Sequence, residues 1–181
     1  MKVAPSVRKR AALIKVVLMD VDGTLTDGSV TLLSQPDGTA LEIKTFDAHD
    51  GQGMTLARTA GLQLGVITGR ESAALRRRMK EMGVAFVYEK QPNKVAAYEE
   101  ILDKAGVRES EVAYLGDDLP DLPLLRRVGL AAAVGNAALE VKLAAHYTTK
   151  ANGGKGAARE LIELILKSKG LWDEMIDKAR A

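Results

Sequence analysis

The stretch that decides the fold is Asp20-Val-Asp-Gly-Thr-Leu-Thr-Asp-Gly28, which directly follows the apolar run Leu13 to Met19. That run has the length and β-branched content of a buried strand. Because side chains alternate along a strand, Asp20 and Asp22 leave its carboxyl end on one side, and Gly23 permits a sharp bend there. Two carboxylates this close are costly unless they share a cation or a proton. The stretch therefore predicts a divalent metal and a perturbed pKa, and the alternative is an ordinary Asp-Gly turn that ends a strand.

Composition narrows the class of protein. With 181 residues and 46% hydrophobic content, the chain suits one domain, residues 1–181, with a substantial core. Aromatic residues make up only 4%, which favours alternating strands and helices over a β-sandwich. A net charge of +2 gives no electrostatic case for a nucleic-acid partner, and the basic cluster of Lys2 and residues 8–10 is interpreted as a solvated tail.

The chain contains no cysteine, so disulfides and thiolate metal sites are excluded, which fits a reducing compartment. Oxygen ligands remain, and these favour Mg²⁺ as the cofactor. No apolar segment approaches the roughly 20 residues needed to span a bilayer, so no membrane partner is expected. We expect a cytoplasmic protein.

Apolar runs and helical periodicities alternate along the rest of the chain. The predicted strands are Leu13–Met19, Leu62–Ile67, Val84–Tyr88, Val112–Leu115, Leu130–Val134 and an edge strand His146–Thr149. The predicted helices run from Asp47 to Thr59, from Glu71 to Met82, from Pro92 past Ala105, up to Ala144, and from Ala157 to Lys167. This order predicts an α/β fold, a Rossmann-like doubly wound parallel sheet with helices on both faces.

A β-hairpin is predicted over residues 29–46, because strong turn residues at 35–38 separate two strand-like runs. The hairpin takes the place of a cap domain. Its apolar residues alternate with polar ones, so one face needs burial that another subunit is expected to supply; these residues are Val30, Leu32, Leu41 and Ile43. Residues 170–181 form a tail too short to stand alone. The glycine run around Lys155 is a candidate to lie across the site of a neighbouring subunit, or else simply ends an edge strand.

Polar groups follow two other predicted strands. Thr68-Gly69-Arg70, ahead of a helix, is typical of a phosphate-binding corner, and Arg78 falls two helical turns further on. Lys94 in a first helical turn is electrostatically unfavourable and indicates a compensating phosphate or carboxylate. Carboxylates cluster again at Asp117, with Asp118 and Asp121 as supporting groups. If the strands are parallel neighbours, Asp117 can meet Asp20 across one Mg²⁺.

In this pattern the chain resembles the haloacid dehalogenase superfamily, whose four motifs match Asp20 with Asp22, Thr68, Lys94, and Asp117 with Asp121. The resemblance implies that Asp20 is the nucleophile that attacks phosphorus and that Asp22 is the general acid and base. It also implies an Mg²⁺ site formed by Asp20, the backbone carbonyl of Asp22, and Asp117. Only 45 residues separate Asp22 from Thr68, and 22 separate Lys94 from Asp117, so neither interval holds a cap beyond the hairpin.

Phe46-Asp-Ala-His-Asp-Gly51 and the late Gly-Gly-Lys-Gly are similar to the family of 3-deoxy-D-manno-octulosonate 8-phosphate phosphatases. That resemblance implies hydrolysis of a sugar-acid phosphate in lipopolysaccharide biosynthesis, a homotetramer with a central barrel of hairpins, and a neighbour's tail at each site. The implied substrate contacts are Asp22, Asp47, Ala48, His49, Asp50, Gly51, Thr68, Gly69, Arg70, Arg78 and Lys94.

Three alternatives stay open. Asp47 is either a helix N-cap or a substrate contact, and His49 is either a surface residue or a sugar contact. His49 and Thr55 stand where that family usually has arginine, which weakens the case for an acidic sugar. The chain is then either a phosphatase or a non-catalytic, phosphate-binding subunit of a larger assembly.

Overall fold

A central parallel sheet organises the protein, whose computed structural model describes residues 3–180. Met1, Lys2 and Ala181 lie outside the described residues, and with them the end of the tail predicted at 170–181. The strands are β1 (Val16–Met19), β2 (Thr31–Ser34), β3 (Ala40–Ile43), β4 (Gln63–Ile67), β5 (Phe86–Tyr88), β6 (Val112–Gly116), β7 (Leu130–Ala133) and β8 (Tyr147–Thr148). The helices are α1 (Pro5–Leu13), α2 (Ala48–Thr59), α3 (Ala73–Met82), α4 (Val95–Ala105), α5 (Leu122–Leu125), α6 (Leu139–Ala144), α7 (Ala157–Ser168) and α8 (Trp172–Arg180). None of these helices is long and apolar enough to cross a bilayer.

The six-stranded sheet has the order β5-β4-β1-β6-β7-β8, and every pairing in it is parallel. The predicted fold class is therefore confirmed. β1 is buried along its whole length at the centre, because both of its neighbours and the helices cover it. One helical layer contains α1, α2 and α7, and a second contains α4, α5 and α6. The chain runs outward in both directions from β1, which places a crevice at the carboxyl ends beside it.

The basic N-terminal segment is a helix rather than the predicted solvated tail. Helix α1 starts with Pro5 in its first turn, where proline is well tolerated, and buries Val7 and Ala11 against α7. Arg10 donates to the carbonyl of Gly129 at 2.8 Å. The prediction was wrong because only two residues of this helix face the core, which leaves almost no hydrophobic period in its sequence.

The C-terminal segment is also helical and packs on its own chain. The ring of Trp172 lies 4.5 Å from the Lys167 ammonium and 5.4 Å from the Arg159 guanidinium, both on α7. Met175 is buried beside it. The cation–π contacts and the buried methionine give α8 a support that residues 170–181 would lack in isolation.

β2 and β3 form the predicted hairpin, but the apolar residues predicted for one face are divided between its two faces. Leu33 pairs with Leu41 and Thr31 pairs with Ile43, whereas Leu32 lies opposite Glu42. Leu32 is therefore on the other face from Leu41, because a shift of one residue exchanges the two faces of a strand. All these leucines are about half exposed or more.

The glycine run packs on the chain's own Asp20–Gly28 loop. Gly153 and Gly154 are buried, and the Gly154 amide donates to the carbonyl of Thr24 at 2.9 Å. A Cβ on Gly153 would lie 1.7 Å from the carbonyl oxygen of Gly23, so only glycine fits this approach. Gly153 and Gly154 therefore do not lie across a neighbour's site as predicted, because their backbones pack against the Asp20–Gly28 loop of their own chain.

Candidate active site

The two acidic strand ends meet at the crevice beside β1. Asp20 follows β1 and Asp117 follows β6, and these strands pair directly. The Asp20 amide donates to the carbonyl of Leu115 at 2.9 Å, which extends the pairing by one residue. Carboxylate oxygens of Asp20, Asp117 and Asp121 all lie within 4.8 Å of one another. The structure thus brings Asp117 to Asp20, as parallel neighbouring strands predict.

Gly23 and Thr24 fix the position of the Asp117 carboxylate. Gly23 has a φ of +93°, and a Cβ there would lie 2.1 Å from Asp117 Oδ2. The hydroxyl of Thr24, which is fully buried, donates to Asp117 Oδ1 at 2.8 Å. Sequence reasoning did not single out Thr24, because a threonine next to an Asp-Gly turn gives no sign of a contact 93 residues away.

Lys94 lies at the N-cap of α4 and is only 4% exposed. Its ammonium donates to Asp20 Oδ1 at 2.6 Å, to Asp121 Oδ1 at 2.7 Å and to the hydroxyl of Tyr114 at 3.1 Å. The compensating anion predicted for this lysine is therefore a pair of carboxylates. Tyr114 was missed by sequence reasoning, because one tyrosine in the apolar strand β6 is indistinguishable from an ordinary core residue.

Asp121 joins Lys94 to the loop after β6. Its Oδ1 also accepts from the Tyr114 hydroxyl at 2.7 Å, and its Oδ2 accepts from the amides of Asp117 at 2.9 Å and Asp118 at 3.3 Å. Asp118 is exposed and accepts from the Leu119 amide. Because both oxygens of Asp121 already accept hydrogen bonds within the chain, its carboxylate is less available to a cation than those of Asp20 and Asp117.

The crowding of these carboxylates perturbs their protonation. Burial raises the pKa of Asp20 to about 7, although Lys94 acts against it, and burial raises the pKa of Asp117 to about 6. Burial alone would lower the pKa of Lys94, but the charges of Asp20 and Asp121 outweigh it and the net shift is upward. A divalent cation would offset the repulsion between the two carboxylates. The carboxylate oxygens of Asp20 and Asp117 are ligands of the kind that Mg²⁺ prefers.

The Asp22 carboxylate points toward the hairpin. It forms a close ion pair with Lys44, which follows β3, and lies 3.9 Å from Nε of Arg70. Glu42 on β3 accepts from Arg70 at 2.7 Å. Sequence reasoning missed Lys44 and Glu42, because both occur in a hairpin strand whose charged positions are typical of solvent exposure.

Thr68 and Gly69 form the third wall of the crevice. Thr68 is 2% exposed, and its hydroxyl accepts from the Arg70 amide at 3.3 Å. Helix α3 begins at Ala73, two residues later than predicted, because the side chain of Ser72 caps it. The Ser72 amide donates to Glu89 at 2.6 Å. Of the predicted phosphate-binding corner, the Thr68–Arg70 loop therefore lines the crevice and the N-terminus of α3 does not.

These groups line one open cleft of about 390 Å³. Its walls include nine predicted site residues and three neighbouring residues; they are Asp20, Asp22, Thr68, Gly69, Arg70, Gln91, Pro92, Lys94, Asp117, Asp118, Pro120 and Asp121. Sequence reasoning did not place Gln91, Pro92 or Pro120 at the site, because they lie in short loops whose direction depends on the sheet twist.

The start of α2 lies elsewhere, and residues 47–51 do not line this cleft. Asp47 is the N-cap of α2, accepting from the amides of His49 at 2.7 Å and Asp50 at 3.2 Å. Asp50 is 2% exposed, and it accepts from the amides of Gly156 at 3.3 Å and Arg159 at 2.8 Å. Its carboxylate thus caps α7. The side chain of His49 borders a separate depression beside Arg159.

Arg78 lies against α2. A Cβ on Gly51 would lie 2.4 Å from the Arg78 guanidinium, and Glu81 is 3.7 Å away. Arg78 is not among the residues lining the cleft. The expected shared face with Arg70 does not form, because Arg70 precedes α3 and does not follow its helical period.

Comparison with known proteins agrees with this geometry. A family model described as haloacid dehalogenase-like hydrolase matches residues 79–161. A 3-deoxy-D-manno-octulosonate 8-phosphate phosphatase from Salmonella typhimurium is 36% identical over 172 residues, which are 95% of this chain and 89% of that protein.

Two solved structures extend the likeness to three dimensions. The 3-deoxy-D-manno-octulosonate 8-phosphate phosphatase from Moraxella catarrhalis, in complex with a magnesium ion, a phosphate ion and a KDO molecule, is 38% identical with a TM-score of 0.89, over 96% of this chain and 97% of that one. The cobalt-bound enzyme of that name from Haemophilus influenzae is 37% identical with a TM-score of 0.85, over 94% of this chain and 97% of that one. This chain belongs to the haloacid dehalogenase-like hydrolases and is a phosphomonoesterase of that family.

Proposed function

We propose that this protein hydrolyses a small phosphomonoester in an Mg²⁺-dependent reaction through an aspartyl-phosphate on Asp20. The observation that carries the proposal is the placement of Asp20 between the Lys94 ammonium, at 2.6 Å, and the carboxylate of Asp117, at the base of an open cleft. A carboxylate that attacks a dianionic phosphate needs positive charge close by. Lys94 provides it on one side of Asp20, and a Mg²⁺ held by Asp20 and Asp117 would provide it on the other.

The first half of the reaction transfers the phosphoryl group to Asp20. A carboxylate oxygen of Asp20 forms a bond to phosphorus as the bond from phosphorus to the leaving oxygen breaks, and Asp22 gives its proton to that oxygen. Lys94 neutralises charge on the transferring group, and the Thr68 hydroxyl and the Gly69 amide orient its oxygens. Asp20, Asp117 and the Asp22 carbonyl would hold Mg²⁺, which would supply Lewis-acid charge to the transferring group.

The second half releases phosphate. Asp22, now ionised, accepts a proton from a water molecule whose oxygen attacks phosphorus, and the bond from phosphorus to Asp20 breaks. Inorganic phosphate leaves, and both carboxylates return to their starting states. One carboxyl group thus acts as acid and then as base. A single orientation serves both steps, because the leaving oxygen and the incoming water both lie opposite Asp20 on phosphorus.

The substrate we propose is a sugar-acid phosphate such as 3-deoxy-D-manno-octulosonate 8-phosphate. The names of the relatives from Salmonella typhimurium and Moraxella catarrhalis support this substrate. The open cleft also supports it, since a site without a cap admits a large polar substrate. His49 and Thr55, which stand where that family usually has arginine, are the observation against an acidic sugar.

We further propose that the chain, as one hydrolase domain, works as a homotetramer. The support is the hairpin, whose exposed apolar side chains include Leu33 at 52%, Leu41 at 56% and Ile43 at 49% on one face. Such a face is stabilised when a second copy covers it.

Phosphate release from a panel of sugar phosphates and from p-nitrophenyl phosphate, with Mg²⁺ and with a chelator, tests the reaction. We expect turnover only with the metal, and Asp20→Asn is expected to abolish it without loss of the fold. Turnover that survives in Asp20→Asn would refute the aspartyl-phosphate. Release from no compound, by a protein that still binds phosphate, would favour the non-catalytic subunit.

A further inference from the structure

One lysine of the hairpin is buried although the strands around it are exposed. The side chain of Lys44 is 3% exposed, whereas every residue of β2 is exposed and only Glu42 of β3 is partly covered. A buried ammonium needs a partner. Its partner is the carboxylate of Asp22, the acid and base of the proposed reaction.

Lys44 is part of a closed ring of alternating charges. Its ammonium pairs with Asp22 and lies 3.6 Å from Glu42 Oε1. The same oxygen of Glu42 accepts from Arg70 at 2.7 Å, and Nε of Arg70 lies 3.9 Å from the other oxygen of Asp22. Each charge thus lies between two of opposite sign, and the two oxygens of Asp22 face different cations.

The hairpin builds half of this ring from one strand face. Glu42 and Lys44 are two residues apart, so their side chains lie on the same face of the chain, while Leu41 and Ile43 lie on the other. The polar face is turned to the cleft and the apolar face to solvent. The hairpin therefore does more than present an exposed apolar surface, because it also holds Glu42 and Lys44 against Asp22.

We propose that Lys44 is a positioning residue for the proton transfer of Asp22, with Glu42 as its anchor. The Lys44 ammonium donates to one oxygen of Asp22 whether the carboxyl group is ionised or protonated, and this contact fixes the direction in which the group meets the leaving oxygen of the substrate. This inference rests on the proposed function and adds a dependence of its acid step on the hairpin.

The proposal makes a prediction that separates two kinds of substrate. A sugar alkoxide leaves only with a proton, whereas p-nitrophenolate is a weak base and leaves without one. The value of kcat/KM covers the steps up to departure of the leaving group, so it reports the acid step and excludes the later attack of water. Loss of a positioned acid therefore lowers kcat/KM for the sugar phosphate alone.

The test compares Lys44→Met with wild type on p-nitrophenyl phosphate and on the sugar phosphate that wild type hydrolyses best. General acid catalysis contributes about 10²–10⁴-fold, so we expect kcat/KM for the sugar phosphate to fall about 100-fold and that for the aryl phosphate less than about 3-fold. Lys44→Arg keeps the cation, so its kcat/KM for the sugar phosphate is expected to recover most of what Lys44→Met loses. Lys80→Met, at an exposed lysine of α3, is the matched control and should change neither value.

Other outcomes overturn the proposal. An equal fall on both substrates, with weaker inhibition by inorganic phosphate, would make Lys44 a phosphate-binding cation. An equal fall in kcat/KM on both substrates, together with a lowered unfolding temperature, would make the role of Lys44 only structural. In that case Glu42→Gln, which leaves Lys44 in place, should change kcat/KM for the two substrates by the same factor. Both results leave the proposed function intact. A wild-type protein inactive on both substrates would refute the proposed function itself.

Discussion

Replacement of Lys94 by methionine separates the two things that this side chain does. Methionine keeps the length and apolar stem of lysine but removes three donated hydrogen bonds, to Asp20, Asp121 and Tyr114. We expect the variant to lose stability and to lose activity. The loss of stability depends on Asp121, and the loss of activity depends on Asp20.

The loss of stability follows from Asp121, which is 1% exposed and keeps its negative charge. Breaking one partner of a buried ion pair costs about 3–5 kcal/mol. Asp121 still accepts from Tyr114 and from two backbone amides, so we expect about 3 kcal/mol at pH 8. The cost should shrink toward pH 6, because Asp20, whose pKa is already raised to about 7, relieves the repulsion by taking up a proton.

The loss of activity follows from Asp20. Removing one preorganised donor to a developing charge costs about 10²–10³-fold in rate, or about 2.7–4 kcal/mol. The pKa of Asp20 rises further without the cation, so less of the nucleophile is ionised at neutral pH. We therefore expect kcat/KM to fall by at least about 100-fold at pH 7, and its optimum to move to higher pH.

Urea denaturation and phosphate release measure the two effects, and a double variant separates them. Lys94→Met with Asp121→Asn removes the buried charge that Asp121 would otherwise keep without its cation, and it keeps an acceptor for the loop amides, so its stability should return toward wild type while its activity does not. Lys104→Met is the matched control, because that lysine is 56% exposed on the same helix and its solvent-exposed ion pair with Glu100 contributes little to stability. Recovery of activity together with stability in the double variant would show that Lys94 has only a structural role.

Three further results are expected. Burial raises the pKa of Asp20 to about 7 and of Asp117 to about 6, so the folded apoprotein binds protons that the unfolded chain has already lost. Its stability should therefore fall as pH rises from about 4 to 7. Mg²⁺ should raise the melting temperature more at pH 7.5 than at pH 5, and an equal effect at the two pH values would contradict this. Leu33→Glu with Leu41→Glu should reduce the particle seen by light scattering from about four times the 19.4 kDa chain mass to a single chain, whereas an unchanged mass would exclude this face from the interface. Asp50→Ala removes the cap of α7 and should cost about 2 kcal/mol in urea denaturation, and a change below about 0.5 kcal/mol would contradict the capping role.

Most of the sheet and the acidic centre are predictable from the sequence because they depend on local signals. Short apolar runs followed by polar clusters mark the carboxyl ends of buried strands. In a parallel sheet those ends share one edge, so the separate signals at Asp20, Thr68 and Asp117 combine into one site. Lys94 was predictable for a different reason, since a cation beside a helix N-terminus needs a compensating anion.

The remaining parts of the site depend on contacts that no local pattern encodes. Tyr114 looks like a core residue until Asp121 is placed beside it. Lys44 looks like a surface charge until the hairpin folds back on Asp22. Helix α1 shows the same limit in the fold, because two buried residues are enough to dock it on α7 but too few to give a periodic signal.

The positions that depart from the family pattern lie apart from the chemistry, and this bears on what the protein acts on. Thr55 belongs to α2, where its hydroxyl donates to the carbonyl of Gly51 at 3.2 Å, and His49 borders the depression beside Arg159. Neither residue lines the cleft that holds Asp20. The contacts of the groups proposed for phosphoryl transfer therefore do not depend on the residues at these two positions, because Asp20, Lys94 and Asp121 are held by one another and by the loop after β6.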